Sequence, residues 1–279
     1  MEYTVTLTAA DGFELGATKF EAVGERRGSI VVASATAVPQ GFYRRFAEYA
    51  RQRGFTVLTF DYRGYGLSRP TDLRGFRMDF RDWGRLDLAA AIEAMAQDGG
   101  PLYVVGHSYG GHAIGLLPNH HLITRAYAFG VGAGWHGWMP PLERLKIRLL
   151  WGVLLPILNA IKGYTPMSWL GLGEDLPLDA TNSWRRWCGF PRYFFDDPEL
   201  PGMAEQFAAV TAPIAFANAL DDLWALPQSR EAFVWSYVNA PLTRFDIEPN
   251  RFPGGLGHMS YFRAKAAPLW DEALDWLTR

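Results

Sequence analysis

The sequence predicts an α/β fold, with a mostly parallel central sheet, helices on both its faces and a helical insertion packed over it. Three observations carry this expectation. Short β-rich runs alternate with helical spacing through residues 1–133, and the alternation resumes over residues 211–279. Between them, residues 134–210 hold no convincing strand. That stretch contains six of the eleven tryptophans, Trp135, Trp138, Trp151, Trp169, Trp184 and Trp187, an enrichment a solvated loop would not show. The predicted organisation is therefore a core of residues 1–133 and 211–279 interrupted by a cap of residues 134–210.

The elements follow in order. Residues 4–8 and 15–18 flank the Asp11-Gly12 turn signal and read as a hairpin. Residues 29–33, Ser-Ile-Val-Val-Ala, read as a buried strand. Residues 43–53 have helical spacing, with Phe46, Ala47 and Ala50 on one side and Gly54 at the C-cap. Residues 55–60 form a further strand. A strong helix is expected over 79–97, where Trp83, Leu86, Ala90 and Ala94 recur at three-to-four spacing. Strand 102–105, helix 109–117 and strand 125–131 complete the first part. In the insertion, residues 145–162 are apolar nearly all round, which predicts burial on more than one side. Strand 214–217, helix 228–238, strand 242–247 and helix 264–277 close the chain.

Composition excludes several classes. The 27 basic and 29 acidic residues leave a net charge of −2, so there is no basic face for nucleic acid. High apolar content with low net charge excludes disorder. The single cysteine, Cys188, cannot pair within the chain. The N-terminus lacks a basic region followed by an apolar run, and the strongly apolar, uncharged stretch 149–161 is too short to span a bilayer and contains Pro156. A cytoplasmic location without stable membrane insertion is expected.

The sharpest local signal is Gly106-His107-Ser108-Tyr109-Gly110-Gly111, directly after a predicted strand and opening a predicted helix. Glycines on both sides of a serine permit a very tight strand-to-helix turn. Such a turn lifts the Ser108 hydroxyl clear of the sheet and points the first free N–H groups of the helix at the same space. A serine hydroxyl needs a base to act as a nucleophile at neutral pH. Of six histidines, five cluster in and after the serine turn. His258 stands apart in a glycine-flanked loop after the last predicted strand, where a parallel sheet collects its reactive groups. The base needs a carboxylate to fix its tautomer. Asp221 and Asp222 both follow strand 214–217; Asp222 is favoured, with Asp221 as a turn or cap residue.

Competing chemistry fares worse. His107 and His112 are five apart with no intervening glutamate, His120 and His121 are consecutive, and no lysine follows Gly64 and Gly66 in a Walker pattern. No metal or cofactor is expected. Arg63 is read as an anchor for its own loop.

With these residues in hand, the chain resembles an α/β-hydrolase over nearly its whole length. The order Ser108, Asp222, His258 matches the family's serine–acid–histidine order. Residues 60–68, Phe-Asp-Tyr-Arg-Gly-Tyr-Gly-Leu-Ser, resemble the loop after its fourth strand, and residues 213–222 the strand that delivers the acid. Ala219 replaces the glycine usual three residues before that acid. Residues 221–225 and 257–262 resemble an uncharacterised bacterial branch near the serine aminopeptidase-like hydrolases. The resemblance implies an oxyanion hole from the N–H groups of Tyr109 and of Thr36, or Ala37 if the loop is shorter; the family's usual His-Gly there is replaced by Ser34-Ala35-Thr36. It also implies a cofactor-free serine hydrolase with a small-molecule ester as partner. An apolar roof from the insertion favours an apolar acyl or alcohol part, with Trp135, Trp138 and Trp224 as candidate substrate contacts. Amide hydrolysis, acyl transfer, or non-catalytic binding on the same scaffold are the alternatives.

Overall fold

The computed structural model describes all of Met1–Arg279. Eight strands form one sheet in the order β1-β2-β4-β3-β5-β6-β7-β8. They are β1 (Glu2–Thr8), β2 (Glu14–Phe20), β3 (Gly28–Ala33), β4 (Phe55–Phe60), β5 (Leu102–His107), β6 (Arg125–Phe129), β7 (Ile214–Ala219) and β8 (Leu242–Ile247). The predicted hairpin is present: β1 pairs antiparallel with β2 from Glu2↔Phe20 to Thr8↔Glu14. β2 is antiparallel to β4, and every remaining neighbour pair is parallel.

The alternation of side chains along the strands divides the core in two. Ile30, Val32, Tyr103, Val105, Phe129 and Ala217 point to one face, where α1 (Arg44–Arg51) and α9 (Ala267–Leu277) cover them with Phe46, Ala50, Trp270 and Leu274. Val31, Val104, Ala128 and Phe216 point to the other face, under α2 (Ala89–Ala96) and α8 (Pro227–Val234). Because both faces are covered, β3, β4, β5 and β7 are buried at every residue.

The helix expected over 79–97 begins later, at Asp82. The Asp79 carboxylate takes the N–H of Arg81, and the Asp79 N–H is taken by Asp82, so the chain turns before it coils. Its first stretch, Trp83–Leu88, is wound wide before α2. The helix after Ser108 is only one turn of α, α3 (Tyr109–His112), before it tightens over Ala113–Leu116.

Residues 134–210 carry no strand of the sheet and comprise α4 (Pro141–Leu149), α5 (Leu155–Lys162), α6 (Leu178–Trp187) and α7 (Met203–Ala208) with short turns. A wide turn at Leu150–Leu154 joins α4 to α5 in one unbroken helical run over 141–162. Here the structure corrects the sequence reading. The run is not buried on several sides: it packs through one stripe, Ile147, Trp151 and Leu155, with Leu150 and Leu158 half-buried, and leaves most of its other apolar residues in solvent because no element covers them. No helix is long and apolar enough to cross a membrane.

Candidate active site

The chain order places the reversal of strand order between the parallel neighbours β3 and β5: after β3 it moves to β4 on one side, then to β5 on the other. The crevice at the carboxyl ends of these strands is where open parallel sheets bind ligands. Thr36 follows β3 and Ser108 follows β5; Asp222 and His258 follow β7 and β8.

Ser108 sits at φ 50°, ψ −114°, a conformation that non-glycine residues rarely adopt. The turn is held by the Ser108 N–H on the Phe129 carbonyl at 2.9 Å and the Gly111 N–H on the Ser108 carbonyl at 2.9 Å. It closes only because side chains are missing: a Cβ on Gly110 would overlap the Ala33 carbonyl, and one on Gly106 would press into the backbone of Gly110 and Gly111.

The Ser108 Oγ lies 2.9 Å from His258 Nε2. His258 Nδ1 lies 3.0 and 2.9 Å from the two Asp222 carboxylate oxygens. A carboxylate only accepts, so Nδ1 carries the proton and Nε2 presents its lone pair to the serine hydroxyl. Asp222 is fully buried and takes two more donors, the Tyr261 hydroxyl at 2.8 Å and the Trp224 N–H at 3.1 Å. Asp221 points elsewhere and accepts the Leu256 N–H at 2.8 Å, tying down the loop that carries His258. Tyr261 was not singled out from the sequence; its position three residues beyond His258 was the available signal.

His107 is a second histidine the sequence reading passed over. Its Nε2 is 2.8 Å from the His258 carbonyl, which only accepts, so Nε2 donates. Its Nδ1 therefore accepts from the Tyr43 hydroxyl at 3.0 Å, and that hydroxyl takes the Ala35 N–H at 2.8 Å. One buried ring thus links the loop after β3 to the backbone of His258. Burial lowers its pKa to about 3, with the nearby His258 adding to the effect, and the ring is neutral. His112 is likewise pushed down to about 3 by burial.

Because Tyr43 uses the Ala35 N–H, the next two N–H groups, Thr36 and Ala37, are the ones left without an intramolecular partner. Ala37 has φ 62°, and its carbonyl takes the Glu174 N–H at 2.8 Å, fastening this loop to the helical insertion. Thr36 and Tyr109 both border a cavity of about 440 Å³, together with Ser108 and His258. Trp151, Met167, Trp184 and Trp224 form its apolar wall. Trp135 and Trp138 do not line it. They pack edge-on against each other, and the Trp138 indole N–H is spent on the Pro191 carbonyl.

Arg63 lies buried between Asp11, at 2.6 Å, and Asp87, at 2.7 Å, and so anchors its loop. Burial raises the Asp87 carboxyl to about 7, with Arg63 opposing the rise.

A sequence model described as the alpha/beta hydrolase family matches residues 30–273. The chain belongs to this family. No curated protein matches the sequence. Among solved structures, the alpha/beta hydrolase GrgF from Penicillium sp. sh18 is similar at 14% identity and a TM-score of 0.65, covering 100% of this chain and 98% of its own. The esterase domain of a Rhodothermus marinus protein aligns at 15% identity and 0.59, covering 100% and 99%. A thermophilic esterase from Thermogutta terrifontis, solved with malate bound, aligns at 13% and 0.61, covering 99% and 98%. At these identities the likeness is one of fold, and the matches do not separate narrower branches of the family.

Proposed function

We propose that this protein is a serine hydrolase of carboxylic esters whose acyl or alcohol part is apolar, with Ser108 as nucleophile, His258 as base and Asp222 as the acid that orients it. The observation that carries the reading is the unbroken contact chain Ser108 Oγ–His258 Nε2 and His258 Nδ1–Asp222, at 2.9 to 3.0 Å. Two of the structurally similar proteins bear the name esterase, which supports the same class.

The steps follow from the tautomer. His258 Nε2 takes the hydroxyl proton as Ser108 Oγ bonds to the ester carbonyl carbon. The resulting oxyanion is held by the N–H groups of Tyr109 and Thr36; each such donor typically contributes about 3 kcal/mol to the transition state. The intermediate collapses by breaking the ester C–O bond, and His258 hands its proton to the departing alcohol. Water then repeats the sequence on the acyl-enzyme, with His258 again as base and then as acid, releasing the carboxylic acid and restoring Ser108. Throughout, Asp222 stabilises the imidazolium without taking its proton. Residues 134–210 act as a cap: Trp151, Met167 and Trp184 supply an apolar wall facing Ser108, which suits a hydrocarbon portion of the substrate.

The test is covalent. A fluorophosphonate probe should label the wild-type protein and leave Ser108→Ala unlabelled, while p-nitrophenyl esters from acetate to decanoate should be cleaved with a clear dependence on acyl length. Labelling that persists in Ser108→Ala names the wrong serine. Folded protein that is never labelled makes the scaffold a binder, and cleavage of anilides in preference to esters makes it an amidase.

A further inference from the structure

The helical run over 141–162 exposes Leu142, Leu145, Leu149, Val153, Ile157 and Ile161, each between 53% and 68% exposed. Their spacing of three, then four residues puts them on one side of the helix, forming a continuous apolar stripe roughly 30 Å long. The same run carries Arg144, Lys146, Arg148 and Lys162 against a single acid, Glu143, although the chain as a whole is net negative. Only Lys146 faces a carboxylate, Glu143 at 3.3 Å. Arg144 is spent on the carbonyls of His136 and Gly137, Lys162 lies 3.9 Å over the Trp169 ring, and Arg148 is exposed. The positive field is felt locally: beyond burial, Arg148 and then Arg144 lower the pKa of His136. Trp169 is 61% exposed at the C-terminal end of the run, an amphipathic ring of the kind that settles at a lipid headgroup boundary.

Beside the stripe lies a groove of about 570 Å³ lined by Leu149, Val153 and Ile157. It shares Leu150, Leu172 and Trp224 with the wall of the cavity over Ser108, so the two spaces adjoin. We propose that residues 141–162 dock on an anionic phospholipid surface, the apolar stripe entering the headgroup–acyl boundary and the cations meeting phosphate and carboxylate headgroups. The groove then gives an ester dissolved in the lipid a covered way to Ser108; this second half rests on the serine-hydrolase reading. A second copy of the chain is the poorer occupant, because it would bring the uncompensated cations of two identical helices together, whereas an anionic surface is complementary to them.

Co-sedimentation at low salt with vesicles of pure phosphatidylcholine, and with vesicles containing phosphatidylserine, tests the docking. The protein should bind the phosphatidylserine vesicles and lose that binding as salt rises. Leu145→Glu/Ile161→Glu lies outside the groove and cavity; it should lower bound protein about tenfold while leaving circular dichroism and p-nitrophenyl acetate hydrolysis unchanged. Arg148→Gln should lower it by a smaller factor, about fivefold, and Ser108→Ala should bind as the wild type does. Docking is overturned if wild-type protein fails to sediment with phosphatidylserine vesicles, or if Leu145→Glu/Ile161→Glu sediments equally well. A concentration-dependent dimer abolished by the same double substitution would give the stripe to a second copy instead. Because binding is read without turnover, failure of the docking and failure of the hydrolase reading are separately visible.

Discussion

At the carboxyl rim of the sheet, Asp222 meets donors from His258, Tyr261 and Trp224 and is shut away from water. Along residues 141–162, apolar side chains face water with nothing over them. Both regions sit beside the same cavity. Ser108, His258 and Asp222 spend their polar side-chain atoms on one another and on Tyr261 and Trp224, an arrangement that suits the oriented proton transfer proposed above. The helical run keeps its hydrophobic surface uncommitted, so its contribution waits on something outside the chain. One side of the cavity is built for precision and the other for contact.

The contrast breaks first at the two adjacent carboxylates. Asp222→Asn should cost about 10⁴-fold in kcat, because the amide favours the wrong His258 tautomer while keeping the shape. Asp221→Asn should cost about tenfold or less, since Asp221 only holds the Leu256 N–H and its loop. Ester turnover of the two variants checks this, and the reverse ranking would move the acid role to Asp221.

The insertion is not uniformly loose, and stability measurements should resolve its two ends. Phe207 of α7 is fully buried among Phe194, Phe195, Phe233 and Tyr237, so it welds this part of the insertion to α8. Phe207→Ala should lower unfolding free energy by about 3–5 kcal/mol in urea titration. A loss under about 1 kcal/mol would mean that this aromatic cluster closes the vacancy by repacking.

What could be read from the sequence follows the same division. The runs at β3, β4, β5 and β7 are legible because a strand covered on both faces must be apolar at nearly every position. Ser108 was legible because Gly106, Gly110 and Gly111 mark a turn that only small neighbours allow. Asp221 and Asp222 stayed open because two adjacent carboxylates differ only in direction, which the positions of Leu256 and His258 decide. His107 went unread because its meaning depends on Tyr43, 64 residues away. Trp135 and Trp138 looked like roof residues because composition counts indoles without saying which way they face. The stretch 145–162 was misjudged for a physical reason: a helix apolar nearly all round has the same sequence whether its cover is its own core or an external partner.

Acid should act on the rim region more than on the exposed helix. His107 and His112 are neutral in the folded protein, with pKa values lowered to about 3 from an ordinary 6.5. Between these limits the unfolded chain binds protons that the folded chain does not, so stability falls as pH falls. The contribution is complete above the unfolded value and is lost progressively toward the folded one. By about pH 5 each ring should have withdrawn roughly 2 kcal/mol. Asp87, whose raised carboxyl takes up a proton in the folded chain first, works the other way over the same range. Urea midpoints measured from neutral pH downward should show the net fall, and His107→Gln/His112→Gln should abolish or reverse it. An unchanged slope in that variant would assign acid sensitivity to other groups.

The smallest expected effect bears most directly on the comparison. Leu145 is 55% exposed and Ile147, two residues on, is 4% exposed, so the helix offers a matched pair of apolar side chains facing opposite ways. Ile147→Ala should cost about 2–4 kcal/mol because it empties a packed site. Leu145→Ala should stay within about 0.5 kcal/mol, since the leucine is already largely hydrated in the folded state and its removal opens no cavity. Thermal or urea unfolding of the two variants gives the difference. If Leu145→Ala proved as costly as Ile147→Ala in dilute protein, the stripe would already be covered in solution. The helix would then resemble the rim, with its partner supplied by the protein itself and none left for a lipid surface to provide.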